Sequence, residues 1–121
     1  MEEPTKSLEK FGLSEKEARV YLASLELGES TATDISIKSD IPRTLVYDIL
    51  ERLIGAGLVS YSIKANKKHF SASDPEEFKR ILKEKERAVS SIMGDIKELQ
   101  KIKGKKRPKV EIYEGREGMK T

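Results

Sequence analysis

Two short stretches carry side chains whose type and spacing suit one kind of chemistry, the recognition of a polyanion. In the first, Thr31 and Thr33 precede Pro42-Arg43-Thr44 and Tyr47. An arginine offers paired donors to a guanine edge, and hydroxyls near helix starts reach phosphates or bases. In the second, Lys64-Ala65-Asn66-Lys67-Lys68 sets three lysines in a five-residue turn, a density that favours sequence-independent phosphate contact. Each has a plainer reading: Thr31 as a helix cap, Tyr47 as a partly buried ring, the lysines as a polar turn. Asp48, which phosphate would repel, suits a cap or a surface ion pair.

Catalytic chemistry finds no support. The single histidine, His69, has no cysteine or second histidine to share a metal, and reads as a structural or surface residue. No Ser–His–Asp set, H-E-x-x-H pattern or phosphate-cradling glycine loop can be assembled, and Gly115-x-x-Gly118 alone is too weak to read. The expectation is therefore no catalytic residue, no metal and no cofactor.

The elements that must position these residues follow from the pattern. Ser14-x-x-Glu17 is a capping box opening a helix over about 15–27, with Ala18, Tyr21, Leu22 and Leu25 as its apolar stripe and Gly28 as its stop. Leu8, Phe11 and Leu13 form an apolar lead-in of about one extra turn. Thr31-Ala32-Thr33-Asp34 starts a short helix ending near Ser39. Pro42 at a first helical position starts the next, whose stripe is Leu45, Val46, Ile49, Leu50 and Leu53, closed by Gly55 and Gly57. Two helices so closely joined read as a helix-turn-helix. The period then drops toward 2 over Leu58–Ile63 and His69–Ala72, predicting a β-hairpin whose tip is the lysine turn. Three helices and a basic hairpin are the parts of a winged helix, in which the second helix of the helix-turn-helix enters the major groove.

Asp74-Pro75-Glu76-Glu77 opens a long helix, about 75–103. Phe78, Leu82, Lys85, Val89, Ile92, Ile96 and Leu99 alternate at spacings of four and three, and six of these seven are apolar. That is a heptad seam, predicted to pair with a second chain, with Lys85 snorkelling at its one polar position. Parallel and antiparallel pairing both stay open. Residues 101–109 hold six basic side chains and, with Gly104 and Pro108, read as a linker. Val110–Tyr113 then alternates like the start of a truncated strand.

Composition agrees with a small binding protein. The chain has 121 residues, 37% charged and 36% hydrophobic, with a net charge of +3. Residues 1–30 are net −3, residues 31–73 net +2 and residues 74–121 net +4, so the basic excess lies in the middle and the tail. Cysteine is absent, which excludes disulfides and thiol chemistry and fits a reducing cytoplasm. Met1–Ser7 is acidic and polar, unlike a secretory leader, and no apolar run is long enough for a membrane span.

Leu8–Leu58 resembles the TrmB family of archaeal, sugar-responsive transcription regulators. The carrying residues are Phe11-Gly12-Leu13-Ser14-x-x-Glu17-Ala18-x-x-Tyr21-Leu22, Thr31-Ala32-x-x-Ile35, Ile41-Pro42-Arg43-Thr44-x-x-Tyr47-Asp48-x-Leu50-x-x-Leu53 and Gly57-Leu58-Val59. Downstream, Phe70-x-Ala72-x-Asp74-Pro75 resembles the family's passage from wing to coiled-coil helix. The resemblance implies a winged-helix DNA-binding domain and dimerisation through the helix that follows. Val110–Thr121 resembles the opening of the family's effector domain, which is missing here, so sugar binding is not carried over and the effector is left unnamed.

The expected fold is mainly α with a small β-hairpin (α+β), a winged helix-turn-helix followed by a long C-terminal coiled-coil helix. Residues 1–73 are the expected DNA-binding domain, 74–103 the dimerisation helix and 104–121 a basic linker with the start of a truncated element. The expected function is a dimeric, sequence-specific, cytoplasmic transcription regulator on a double-stranded, pseudo-palindromic operator. The alternatives are a winged helix used for protein–protein contact in a transcription assembly and a non-specific chromatin or architectural protein.

Overall fold

Residues 2–106 are described by a computed structural model. They form α1 (Glu2–Phe11), α2 (Glu15–Leu27), α3 (Ala32–Ser39), α4 (Arg43–Gly55), β1 (Val59–Lys64), β2 (Lys67–Ala72) and α5 (Glu76–Lys106). This is the mainly α, winged-helix architecture that the pattern predicts. The chain divides into two compact units, one up to Lys79 and one from Arg80 onward.

Local chemistry sets the helix ends. The Ser14 hydroxyl accepts from Glu17 N at 3.0 Å, and the Glu17 carboxylate accepts from Ser14 N at 2.9 Å, so two orphan donors are satisfied reciprocally. Thr31 caps α3 by accepting from Asp34 N at 3.2 Å. Pro42 is the cap of α4 rather than its first helical residue. Its backbone is extended (ψ 141°), and its carbonyl accepts from Val46 N at 3.0 Å. A proline serves well there, since a donor is not needed at a helix start.

The apolar lead-in proves longer than the single turn expected, forming the ten-residue α1. Phe11 from this region meets Phe78 edge-on, with ring centroids 4.8 Å apart. Phe78 also meets Tyr21 edge-on at 5.1 Å, a geometry that aromatic quadrupoles favour. Tyr21 in turn is buried, and its hydroxyl donates to Ser73 O at 3.1 Å. The core of the first unit closes around Val20, Ile35, Val46, Ile49, Leu50, Leu53, Leu58 and Phe70. Leu25, read as part of the α2 stripe, is 41% exposed, while Val20 and Ala23 are buried in its place. The α2 helix is thus covered on a face set by its neighbours α1, α3 and α4 rather than by one clean stripe.

The hairpin is antiparallel, in register from Val59 opposite Ala72 to Lys64 opposite Lys67. Its two-residue turn has positive φ at Ala65 (50°) and Asn66 (64°), the mirror-image turn that matches strand twist. Ser30 adds a short third edge: its N–H donates to Phe70 O at 3.0 Å, and Phe70 N–H donates back at 2.7 Å. The wing is thereby tied to the loop between α2 and α3.

In the second unit α5 runs on through Gly104 to Lys106, past the expected end at 103 and into the stretch read as a linker. One glycine costs a helix about 1 kcal/mol, and the lysines around it are good helix formers. The strand expected at Val110–Tyr113, and Gly115 and Gly118 with it, lie outside the described residues.

Candidate nucleic-acid interface

The turn between α3 and α4 decides where Arg43 points, and it is held by side chains from two helices. Asp40 adopts the left-handed conformation (φ 60°, ψ 43°), where asparagine and aspartate are tolerated better than most side chains. The Arg19 guanidinium, reaching across from α2, donates to Ser39 O at 2.7 Å and Asp40 O at 3.2 Å. The Ser36 hydroxyl donates to Ile41 O at 2.5 Å. The start of α4 is therefore fixed on α3.

From that start, Arg43 Nη1 donates to Thr33 Oγ1 at 3.3 Å. Thr31, Thr33, Arg43 and Tyr47 line one concavity of about 250 Å³ together with Asn66, Lys67 and Lys68 of the wing tip. Seven of the nine candidate DNA-contacting residues, 35 or more positions apart at the extremes, thus share one surface. Three of them are cations, and no carboxylate lines that surface. The positive end of the α3 macrodipole lies at Thr31 and favours an anion in the same place.

Two candidates stand apart. Thr44 is exposed on α4 but does not line the concavity. Lys64 is turned to Glu29, with Nζ 2.7 Å from the Glu29 carboxylate. Lys68 Nζ lies 4.7 Å from the centroid of the Tyr61 ring, a cation–π contact that sets its direction. Tyr47 is 48% exposed, so its hydroxyl is free to reach a ligand and its ring is only half covered. His69 Nδ1 lies 3.2 Å from Lys67 O, within the wing.

Several positioning residues escaped the sequence reading. Arg19 bonds across 20 residues to Ser39, and Arg52 Nε donates to Glu17 at 2.9 Å across 35 residues. Linear spacing carries no trace of either. The Glu17 carboxyl is held below the ordinary carboxylate range, foremost by the Ser14 N–H. Burial acts partly against this shift, and the Arg52 guanidinium adds to it. Glu29 and Tyr61 went unread for the same reason, since their significance is a neighbour brought in by the fold.

On α5, Leu82 (49% exposed), Val89 (53%), Ile92 (46%), Ile96 (47%) and Leu99 (67%) lie open within the second unit. Met93 and Ile102 add apolar surface beyond the seam read from the sequence. Phe78, read as the first seam residue, instead stacks on Phe11 and Tyr21 of its own chain. Among the described residues no group of three or more His, Asp or Glu is arranged to hold a metal, and no helix is long and apolar enough to cross a membrane.

A winged helix with its helix-turn-helix start and wing tip on one cationic surface defines a class, the winged-helix DNA-binding proteins. Solved structures share the fold. An archaeal chromatin protein, TrmBL2, whose structure is described as showing a novel mode of DNA binding, matches with a TM-score of 0.72 over 88% of this chain and 42% of its own, at 21% identity. A MarR family transcriptional regulator from Silicibacter pomeroyi matches with a TM-score of 0.52 over 78% of this chain and 60% of its own, at 19% identity.

The family profile described as sugar-specific transcriptional regulator TrmB matches residues 8–76, and the chain belongs to that family of DNA-binding transcription regulators, which are not enzymes. The HTH-type sugar sensing transcriptional regulator TrmBL1 of the archaeon Pyrococcus furiosus is 37% identical over 100 residues, which are 83% of this chain. The chain spans 27% of that relative's length.

Proposed function

We propose that this protein regulates transcription by binding a specific operator as a homodimer. In this reading residues 1–73 bind the DNA, with Arg43 and Thr44 facing base edges from α4. Thr31, Thr33 and Tyr47 take phosphates, and Asn66, Lys67 and Lys68 follow the backbone from the wing. The observation that carries it is a concavity, with no carboxylate in its lining, on which the helix-turn-helix and the wing tip converge. Two cationic elements on one surface match the docking of such folds, a helix in the major groove and a flanking element on the backbone. Residues 74–103 supply the dimer contact through Leu82, Val89, Ile92, Ile96 and Leu99, whose exposure leaves apolar surface for a second copy. Work on the chromosome makes the protein cytoplasmic. The fold relative described as a chromatin protein supports a second reading, DNA binding without sequence preference.

Selection of bound fragments from random DNA, followed by salt titration on the winning sequence and an unrelated one, tests both. A recovered two-part site bound about 10³-fold or more tighter than unrelated DNA supports the operator reading. Equal affinity for all sequences supports the chromatin reading, and no binding at low salt overturns both.

A further inference from the structure

The wing carries a lysine that is already engaged. Lys64 ends β1 and lies directly opposite Lys67 across the hairpin, and Lys67 lines the concavity described above. Paired residues on one face of an antiparallel ladder stand about 5 Å apart at Cβ. Lys64 is therefore at the edge of the same cationic surface, yet its ammonium is spent on Glu29 at 2.7 Å.

Glu29 is held in place for this. Gly28 before it turns the chain with φ 74°, and Ser30 after it is locked to Phe70 by two backbone bonds. The Ser30 hydroxyl also donates to Gly28 O at 3.1 Å. The backbone on both sides is thus fixed to α2 and to the wing, and the carboxylate between them meets Lys64 at the end of β1. The titratable groups that act on it there are Lys64 and, more weakly, His69. Both partners remain open to solvent, with side-chain exposures of 61% and 37%. Pairs of this kind contribute little to fold stability, so the carboxylate can leave without loss of structure.

We propose that Lys64 is a phosphate-binding position of the wing which Glu29 fills in the free protein, and that the DNA backbone displaces this carboxylate on binding. The inference rests on the DNA-binding reading. A carboxylate in the position of a phosphate lowers affinity for all DNA alike, because each engaged cation must first be released. It thereby suppresses backbone-driven binding and leaves discrimination to the residues that face bases.

A double-mutant cycle on the full chain tests it, measured by salt titration on one preferred and one unrelated duplex. Glu29→Gln should raise affinity several-fold on both duplexes, with the salt slope changed by less than about one unit because Lys64 meets a phosphate in both complexes. Lys64→Ala should cost markedly more in the Glu29→Gln background than in the wild type. Equal costs in the two backgrounds, or an unchanged affinity in Glu29→Gln, would overturn the proposal while leaving the DNA reading intact. Wild-type protein that binds neither duplex would overturn both.

Discussion

Arg43 and Thr33 are ten residues apart and on different helices, yet the Arg43 guanidinium donates to the Thr33 hydroxyl at 3.3 Å. The bond uses one of five donors, so the fork keeps donors for a ligand while its stem is restrained. A restrained side chain loses less freedom on binding than a mobile one. Arg43→Ala should cost about 1–3 kcal/mol on the preferred site and flatten discrimination at one base position. Thr33→Val, which removes only the restraint and the hydroxyl, should cost less and leave the base preference in place. Affinities across a panel of single-base variants separate the two. Uniform weakening by Arg43→Ala would make it a phosphate contact instead.

The wing lysines differ in their surroundings. Lys67 and Lys68 line the concavity, whereas Lys64 is paired with Glu29. From the sequence alone three equal contributions are expected. With the pairing in view, neutralising Lys67 and Lys68 together should lower the salt slope by up to about two units. Adding Lys64→Ala to that pair should lower it by less than one further unit in wild-type background. A slope unaltered by the double substitution would show that the tip does not meet DNA.

Glu17 couples acid stability to the fold. Its carboxyl lies below the ordinary carboxylate range, chiefly through the Ser14 N–H and with help from Arg52. A lowered folded-state value means stability that is fully present above the ordinary value of about 4.3 and is lost as pH falls through the lower one. Glu17→Gln keeps a capping acceptor but removes the charge facing Arg52. It should destabilise the domain by about 1 kcal/mol or less at neutral pH, and the difference from wild type should shrink as pH falls below the ordinary carboxylate value and through the lowered one. Urea unfolding at several pH values reads this directly, and a pH-independent difference would refute it.

The hairpin turn contains a residue that a designer would change. Ala65 sits at φ 50°, in the left-handed region that costs most L-residues about 1–2 kcal/mol. Asparagine is favoured at that position of a mirror-image turn. Ala65→Asn should therefore stabilise the domain by about 0.5–1 kcal/mol, read as a higher thermal midpoint. A lower midpoint would mean that the turn relaxes to another type.

What could be read in the sequence, and what could not, divides by range. Ser14 with Glu17, Thr31 with Asp34 and the alternation at Tyr61–Ile63 are local signals, and each produced the element it indicates. The placement of α3 against α4 followed from the short connection between them. Arg19 on Ser39, Arg52 on Glu17 and Glu29 on Lys64 are contacts between elements. They depend on how helices pack, which periodicity does not encode. Leu25 was misread for a related reason: its spacing fits the stripe, but the neighbours of α2 cover Val20 and Ala23 instead. Phe78 fits the heptad by number, yet Phe11 and Tyr21 lie close enough to take its ring.

Assembly turns on α5. With Phe78 engaged in its own chain, the proposed seam runs from Leu82 to Leu99, with Val89 and Ile96 at one set of core positions and Ile92 and Leu99 at the other. β-branched Val89 and Ile96 at the first set with Leu99 at the second suit two strands, and Ile92 departs from that pattern. The 31 residues of α5 extend roughly 46 Å at about 1.5 Å per residue, long enough for several heptads of contact. Ile92 lies mid-seam and is 46% exposed in the single chain, so Ile92→Asp leaves the isolated helix undisturbed. In a paired seam the same carboxylate would have to be desolvated without a partner, which is strongly unfavourable. The variant should sediment as a monomer, keep the circular dichroism of the wild type apart from some fraying of α5, and lose most operator affinity. Loss of affinity follows because a monomer engages one half-site and forgoes the effective concentration that a dimer supplies. Wild-type protein that sediments as a monomer at tens of micromolar would refute pairing through α5, and so would a dimer that survives Ile92→Asp unchanged.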